Sequence, residues 1–272
     1  MRYCQFVMGP AGAGKSTYCA RIAEFCETTR RRVHVFNLDP AAENFEYPVA
    51  WDIRDIISLD DVTETLSFGP NGGLIYCMEF LIANLQVFDE ALGHYEDDYI
   101  IFDCPGQIEL YTHIPVMKRL VDHLTQNEYR VAGVYLLDSQ FLDDPTKYFS
   151  GVLAALSAMV NLEIPHVNVM TKMDLVADRR RQVELETFLD PDPRYILEML
   201  DERSTPKQKG LNAAIASLIE DFDLVHFLPM NKDDEESVSI VLQHVDNAIQ
   251  YGEDEDVAVP RDLDDFEQDD GT

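Results

Sequence analysis

Basic side chains are scarce in this sequence. Its 272 residues include 21 lysines and arginines against 51 aspartates and glutamates, which gives a formal net charge of -30. A surface of that sign repels the phosphate backbones of DNA and RNA, except at a local basic site. We therefore expect no direct nucleic-acid ligand, and a basic protein surface is the more favourable partner.

Long hydrophobic runs and paired cysteines are missing as well. No apolar stretch approaches the roughly 18 residues that a membrane-spanning helix requires, so we expect no membrane association. The five cysteines show neither a Cys-x-x-Cys pair nor a metal-like spacing with histidine. This usage is typical of buried thiols in a reducing compartment. We expect a soluble protein of the cytoplasm.

The most informative stretch is a glycine-rich loop that carries one lysine. The run Gly9-Pro10-Ala11-Gly12-Ala13-Gly14-Lys15-Ser16-Thr17 fits the pattern Gly-x-x-x-x-Gly-Lys-Ser/Thr and lies between an apolar run and a helical pattern. In such a loop backbone N–H groups converge on phosphate oxygens, the lysine adds a positive charge, and the serine hydroxyl can bind Mg²⁺. The pattern predicts a nucleoside triphosphate site at Gly12, Ala13, Gly14, Lys15, Ser16 and Thr17.

Strand and helix patterns alternate along most of the chain. Apolar runs at residues 4–8, 33–38, 99–103, 130–137, 166–170 and 225–228 are separated by helical spacings. This alternation predicts an α/β protein of the P-loop NTPase type, with three layers and a mostly parallel sheet covered by helices on both faces. We expect one domain over residues 1–251, with a helical insertion at about 177–209. Residues 252–272 hold ten acids and one base, which predicts a disordered acidic tail.

Two other patterns predict helices. The spacing of Ile53, Ile56 and Ile57 favours a helix over residues 51–61. After a turn at residues 67–73, apolar residues recur every three or four positions over residues 74–92, which predicts one long amphipathic helix. Its apolar stripe is expected to pack in the core or against a second subunit.

Acidic side chains follow two of the predicted strands. Asp103 ends an apolar strand and resembles the acid that holds Mg²⁺ through water, with the N–H of Gly106 free to reach a γ-phosphate. Asp39 or Gln107 can position the attacking water; Asp39 is the preferred candidate, with Gln107 in support. Both aspartates also have a simpler interpretation, as residues that cap or form turns.

A third acid follows the strand at residues 166–170. The run Thr171-Lys172-Met173-Asp174 resembles a guanine-reading element, in which the carboxylate accepts from the N1 and N2 donors of the base and the lysine stem packs on the ring. Threonine stands where asparagine is commoner, which weakens one contact to the base. The run Phe227-Leu228-Pro229-Met230, at the last predicted strand, is a candidate source of a backbone N–H donor to the guanine oxygen. A charged loop after a strand is the simpler alternative.

These motifs occur in an order that resembles the GPN-loop GTPases. The resemblance rests on residues 9–17, Leu38-Asp39-Pro40-Ala41, Gly69-Pro70-Asn71, Asp103-Cys104-Pro105-Gly106-Gln107 and residues 171–174, and it extends from residue 3 to about 251. It implies an obligate dimer, here a heterodimer with a paralogous GPN-loop GTPase or else a homodimer. It also implies RNA polymerase II subunits as partners, in assembly and nuclear import, and hence shuttling between cytoplasm and nucleus.

The run Gly69-Pro70-Asn71 has two interpretations. Its residues alone favour a turn that opens the following helix. The resemblance implies instead a loop at the dimer interface, which we hypothesise to carry Asn71 across to the partner's γ-phosphate as a catalytic residue. An asparagine amide can donate to a phosphate oxygen and accept from the attacking water.

Three functions remain to be compared. The first is an enzyme that hydrolyses GTP to GDP with Mg²⁺, and the second is a nucleotide-gated binding module with negligible hydrolysis. The third, an ATP-dependent phosphotransferase or partitioning ATPase, is disfavoured. Pro10 stands where the partitioning type has a second lysine, and only the run Arg179-Arg180-Arg181 offers arginines for a kinase.

Overall fold

The centre of the protein is a parallel sheet. The computed structural model describes residues 2–95, 98–176, 188–190, 197–198, 206–221 and 225–253. Within them lie seven strands, all paired in parallel. They are β1 (Arg2–Met8), β2 (Val33–Asn37), β3 (Val49–Asp52), β4 (Tyr99–Asp103), β5 (Tyr129–Asp138), β6 (His166–Thr171) and β7 (Phe227–Pro229). The prediction of an α/β fold with a parallel sheet is confirmed.

Helices connect the strands. The described α-helices are α1 (Lys15–Thr28), α2 (Leu59–Leu66), α3 (Pro70–Ala83), α4 (Leu85–Gly93), α5 (Glu109–Thr112), α6 (Val116–Gln126), α7 (Pro145–Leu162), α8 (Pro206–Asp221) and α9 (Glu235–Ile249). Several begin at side-chain caps: Ser58, Asp144 and Asp234 accept the N–H groups that open α2, α7 and α9.

The strand order is β3-β2-β4-β1-β5-β6-β7, with β1 in the middle. Parallel strands end at the same edge, and ligands of such sheets bind beyond the carboxyl ends. The glycine-rich loop after β1, Asp39 after β2, Asp103 at the end of β4 and the turn after β6 therefore share one edge.

Two apolar cores cover the two faces of the sheet. On one face, α1 and α9 pack through residues such as Ile22 and Val241. On the other, α2, α3, α4, α6 and α7 pack through residues such as Leu81, Leu120 and Val152. The predicted three layers are present, and the sheet is buried between them.

The predicted helix over residues 51–61 is wrong. Trp51 belongs to β3, where it pairs with Phe36 of β2, and Asp52 then accepts the N–H of Arg54 to open a short 3₁₀ turn. The rings of Trp51 and Phe36 lie 5.8 Å apart. Pairing with β2 outweighs the helical spacing of the isoleucines, and the helix begins only at Leu59.

The predicted long helix is two helices. Asn84 adopts φ -124° and ψ 37°, and its Nδ2 donates to the carbonyl of Phe80 at 2.8 Å. This bond satisfies a carbonyl at the end of α3, and α4 starts at the next residue. The stripe of α3, including Leu74 and Met78, is buried against its own chain, so it packs in the core and is not available to a second subunit.

Two predictions fall largely outside the described residues: the insertion at 177–209 and the tail at 252–272. The helices on either side of β7 are α8 and α9. Among the described helices, none has the length and hydrophobicity needed to cross a bilayer.

Candidate functional site

The glycine-rich loop leaves β1 and ends at the first turn of α1. Gly9 has φ +141°, and a Cβ atom there would overlap the backbone carbonyl of Leu136 on β5, so only glycine fits. Ala13 donates its N–H to the carbonyl of Pro10 at 3.1 Å, which closes the turn. The predicted phosphate-binding residues Gly12, Ala13, Gly14, Lys15, Ser16 and Thr17 thus lie together at the N-terminus of α1.

The Lys15 side chain folds back over this loop. Lys15 is 9% exposed, and Nζ donates to the carbonyl oxygens of Gly9 and Pro10, both at 3.3 Å. Gly106 lies against the same group, because a Cβ atom on Gly106 would be 3.2 Å from Nζ and 3.1 Å from the Cα of Ala11. The turn after β4 and the helix N-terminus therefore flank one ammonium group, an arrangement that suits a polyphosphate.

The two predicted Mg²⁺ residues are in contact. The Ser16 hydroxyl hydrogen-bonds to the carboxylate of Asp103, which is 3% exposed. Burial raises the pKa of Asp103, while hydrogen bonds from Tyr47 and Ser16 and the charge of Lys15 oppose the rise.

This donor set fits Mg²⁺ in the presence of phosphate. Mg²⁺ is usually held by one or two protein side chains, with water and phosphate oxygens as its other ligands. In the described parts of the chain, no three His, Cys, Asp or Glu side chains are grouped to hold a metal by themselves. Ser16 and Asp103 would therefore bind the ion together with a nucleotide.

Asp39 lies at the carboxyl end of β2 and is held by its neighbours. Its Oδ1 accepts the N–H of Ala41 at 2.9 Å, and its own N–H donates to Oδ1 of the buried Asn37 at 3.0 Å. Burial raises the pKa of Asp39, and the N–H of Ala41 and the charges of Lys15 and Arg54 lower it. The bond to Ala41 is the turn-forming contact that the simpler interpretation predicts. The carboxylate is also close enough to Lys15 to be influenced by its charge.

An ion pair behind Asp39 fixes this segment. Arg54 binds Asp52 through Nη2 at 2.6 Å and Nε at 2.9 Å, and its Nη1 donates to the carbonyl of Ala42 at 2.7 Å. Asn37 completes the cluster by donating to Asp52 at 2.8 Å. Sequence reasoning missed this cluster, because Asp52 and Arg54 fall within the segment that was predicted as a helix.

Gln107 lies in the turn after β4, on the same side of the site as Gly106. Its Oε1 is buried and has no hydrogen-bond partner within the described ranges. A buried acceptor without a partner is unfavourable, so a donor such as a bound water fits here. The choice between Asp39 and Gln107 stays a prediction.

A cavity of about 250 Å³ joins the phosphate loop to the turn after β6. Its walls include Gly14, Thr17, Tyr18, Thr171, Lys172, Asp174, Leu175, Met230 and Lys232. Thr171 is 6% exposed, and its hydroxyl bonds to the carbonyl of Ala13 at 2.7 Å. The threonine thus ties the turn to the phosphate loop.

The turn itself is shaped by one ion pair that sequence reasoning missed. Lys172 has a left-handed backbone with φ +58°, and its Nζ binds Oδ2 of the buried Asp138 at 2.5 Å. The lysine is therefore fixed at the end of β5. Met173 follows, with its N–H bonded to the carbonyl of Met230 at 3.3 Å. This leaves Asp174 as the carboxylate that lines the cavity.

The expected donor near Met230 is wrong. The Met230 N–H is bonded to the carbonyl of Met170 at 2.8 Å, and the N–H of Asn231 is bonded to the Ser237 hydroxyl at 3.1 Å. Lys232 is the next donor along the chain, and it lines the cavity. No motif pointed to it, because a single lysine after a short strand has no distinctive pattern.

The chain is similar to known proteins over nearly its whole length. A family model described as "Conserved hypothetical ATP binding protein" matches residues 7–251. The chain is 57% identical to GPN-loop GTPase 3 of Danio rerio over 269 residues, covering 97% of this chain and 93% of the relative. It is 53% identical to GPN-loop GTPase 3 of Mycosarcoma maydis over 272 residues, covering 97% of each. The chain belongs to the GPN-loop GTPase family.

The fold of this GPN-loop GTPase family member also occurs in a solved structure. A GTPase from Pyrococcus abyssi, in its apo form, superimposes with a TM-score of 0.76 at 21% sequence identity. The match covers 90% of this chain and 97% of the other. At that identity, the likeness concerns the fold alone.

In this family member, the residues that name the family open α3. Gly69 precedes the helix, Pro70 is its first residue, and the carbonyl of Gly69 accepts the N–H of Gly73 at 2.8 Å. Gly69, Pro70 and Asn71 are exposed, and Asn71 makes no side-chain hydrogen bond to the described residues. The loop is both a helix start and an exposed element, and its place at a dimer interface stays a prediction.

Proposed function

We propose that this protein binds GTP with Mg²⁺ and hydrolyses it to GDP and phosphate. The observation that carries the proposal is a single cavity lined by both the phosphate loop and Asp174, with the Ser16–Asp103 pair beside it. The names of the relatives support the same activity. The proposed base site therefore adjoins the phosphate loop.

Each group in the site has a task in this reaction. Lys15, the N–H of Gly106 and the N-terminus of α1 bind the phosphates. Ser16 and Asp103 would hold Mg²⁺, which neutralises charge on the phosphate oxygens. The raised pKa of Asp39 makes its carboxylate a better proton acceptor than an ordinary aspartate, so Asp39 can hold the attacking water.

Base selectivity is the first test, because the family model's description mentions ATP. Asp174 can accept from both donors of guanine, whereas adenine presents no such pair. In Asp174→Asn the amide can donate to the 2-oxo group of xanthine, so affinity should move from GTP to XTP by about 10² or more, since the wrong base would leave polar groups of the complex unpaired. Asp233→Asn, an exposed acid on the next loop, is the control. Equal affinity of the unmutated protein for GTP and ATP would refute guanine recognition.

Hydrolysis is the second test, with single-turnover assays on preloaded protein. Asp39→Asn should leave GTP binding intact and slow the chemical step by roughly 10² to 10⁴. Gln107→Ala is assayed beside it, and the exposed Asp60→Asn on α2 is the control. If only Gln107→Ala slows turnover, Gln107 is the residue that positions the attacking water. If the unmutated protein binds GTP without measurable turnover, the nucleotide-gated binding module is the better description.

We also propose that the protein works as a dimer, with a paralogous GPN-loop GTPase or a second copy of itself. The support is family membership and an exposed apolar group next to the GPN loop: Leu66, Phe68 and Tyr76 are 42%, 45% and 36% exposed. Mass measurement of the co-purified complex, with and without nucleotide, tests the dimer. In mixed dimers with one dead phosphate loop, Asn71→Ala should impair the partner's site. Impairment of its own site instead would refute delivery across the interface.

The cellular role is a further part of the proposal. We place the protein in the cytoplasm with shuttling to the nucleus, and we propose RNA polymerase II subunits as its partners in assembly and import. Family membership supports this role, and all five cysteines are buried free thiols, as in a reducing compartment. Depletion of the protein should leave polymerase subunits in the cytoplasm, and normal nuclear import would contradict the role.

A further inference from the structure

A buried tyrosine is bonded to the carboxylate of the metal site. The Tyr47 hydroxyl donates to Oδ2 of Asp103 at 2.7 Å, and the two residues are 6% and 3% exposed. They are 56 positions apart in the chain, and no motif includes Tyr47. Its hydroxyl is one of only two side-chain donors to Asp103 among the described residues, the other being Ser16.

Contacts other than Asp103 hold Tyr47 in place. Its ring packs against Phe45 at 5.4 Å between centroids, and the guanidinium of Arg54 lies 4.7 Å from the Phe45 ring. Arg54 also binds the carbonyl of Ala42, earlier in the same segment. The hydroxyl is thus presented to Asp103 by a segment that is fixed independently, so it can orient the carboxylate instead of merely following it.

The two donors to Asp103 differ in what a metal would do to them. The Ser16 hydroxyl would itself be a ligand of the ion in a loaded phosphate loop. Tyr47 belongs to the segment between β2 and β3 and has no such second task. A tyrosine hydroxyl is ordinarily protonated at physiological pH, so it stays a donor. Hydrogen bonds of this kind orient metal-binding carboxylates and tune metal affinity.

We propose that Tyr47 is the positioning residue for the Mg²⁺ carboxylate Asp103, setting the Mg²⁺ affinity of the nucleotide complex without touching the nucleotide. This inference rests on the proposed function, because it requires a nucleotide and Mg²⁺ at this site. A carboxylate has acceptor capacity beyond the Tyr47 bond, so the metal or its water can be bound while the tyrosine stays in place.

The test is Tyr47→Phe, which removes the hydroxyl and keeps the ring. Affinity for a fluorescent GDP analogue is measured on the full chain, with its partner if one co-purifies, against free Mg²⁺ and in EDTA. The Mg²⁺ concentration for half-maximal tightening should rise by about 10- to 100-fold, the usual effect of removing a hydrogen bond behind a metal ligand. Affinity in EDTA should be unchanged.

Two variants serve as controls. Tyr148→Phe removes another buried hydroxyl, bonded to the carbonyl of Phe188 away from the site, and should leave the Mg²⁺ dependence unchanged. Asp103→Asn should weaken the Mg²⁺ effect strongly. If Tyr47 acts through Asp103, adding Tyr47→Phe to Asp103→Asn should change the Mg²⁺ dependence no further. Fluorescence of Trp51, the single tryptophan, reports whether each variant is folded.

The outcomes separate this inference from the proposed function. A Mg²⁺ dependence within twofold of the unmutated protein would overturn the role of Tyr47, as would a parallel loss of affinity in EDTA. Additive effects of the two substitutions would do the same. If the unmutated protein shows no Mg²⁺-dependent nucleotide binding, the proposed function itself fails, and the inference with it.

Discussion

Arg31 provides the sharpest test of how the two ends of the domain are joined. It follows α1, and its guanidinium binds Asp246 of α9 in a bidentate manner, at 2.7 and 2.9 Å. The same group lies 3.7 Å from the ring centroid of Tyr251 and 4.2 Å from that of Tyr99 on β4. One side chain therefore links α1, the sheet and the end of α9. We predict that Arg31→Ala destabilises the protein strongly.

The magnitude follows from burial. The side chains of Arg31 and Asp246 are 12% and 21% exposed, and the removal of one partner from a fully buried pair costs about 3–5 kcal/mol. Partial solvation of Asp246 lowers this cost, while the lost cation–π contacts add to it, so we expect about 2–4 kcal/mol. The pair Arg21–Glu24 is shorter, at 2.6 Å, but its side chains are 37% and 63% exposed. Arg21→Ala should cost no more than about 1 kcal/mol.

Urea unfolding followed by circular dichroism measures both changes. Arg31→Lys should be intermediate, because an ammonium group keeps the charge but cannot make the bidentate contact. A double-mutant cycle with Asp246→Ala isolates the pair itself. If Arg31→Ala and Arg21→Ala are equally mild, burial does not decide the value of these ion pairs and the reasoning is wrong.

Three more predictions concern the loop, the core and the end of the domain. Gly106→Ala should weaken GTP binding and turnover by at least tenfold with little loss of stability, because its methyl group would press on Lys15; unchanged affinity in a titration would contradict this. Burial lowers the pKa of His166 to about 4 from an ordinary value near 6.5. The unfolded chain therefore binds a proton at this residue more readily than the folded one, and the free energy of unfolding should fall by up to about 3 kcal/mol as the pH drops from 6.5 to 4. His166→Gln should flatten that slope in urea unfolding, and parallel slopes would refute the assignment. Truncation after Tyr251 should leave the melting temperature and GTP binding unchanged. Truncation after Ile249 should lower the melting temperature by several degrees, because it removes the Tyr251 ring that packs against Arg31. Equal melting temperatures of the two truncated chains would argue against that contact.

The fold was predictable where local pattern and burial agree. The apolar runs of β1, β4, β5 and β6 lie in the middle of a sheet buried on both faces, so their sequences are continuous and easy to recognise. β3 is a four-residue edge strand of intermediate burial, and its residues resemble the start of a helix. The break between α3 and α4 could not be predicted either, because it occurs at Asn84, within a regular apolar stripe and without a glycine or proline.

The site was predictable only along the strand ends. Asp39, Asp103 and Asp174 could be placed at one edge of the sheet because parallel strands end together. The partners that hold them come from distant parts of the chain: Tyr47 for Asp103, and Arg54 for the Asp39 segment. These contacts form only because β3 pairs with β2, and the local sequence pattern does not predict that pairing.

The site therefore has two halves that are supported differently. Thr171 and the Lys172–Asp138 pair attach the base-binding half to the ends of β5 and β6, which lie inside the sheet. The segment between β2 and the edge strand β3 holds the residues for which we propose a part in hydrolysis, with Asp39 near its start and Tyr47 near its end. A displacement of that segment would move the Asp39 carboxylate and the Tyr47 hydroxyl that donates to Asp103 together, while the cavity beside Asp174 kept its shape.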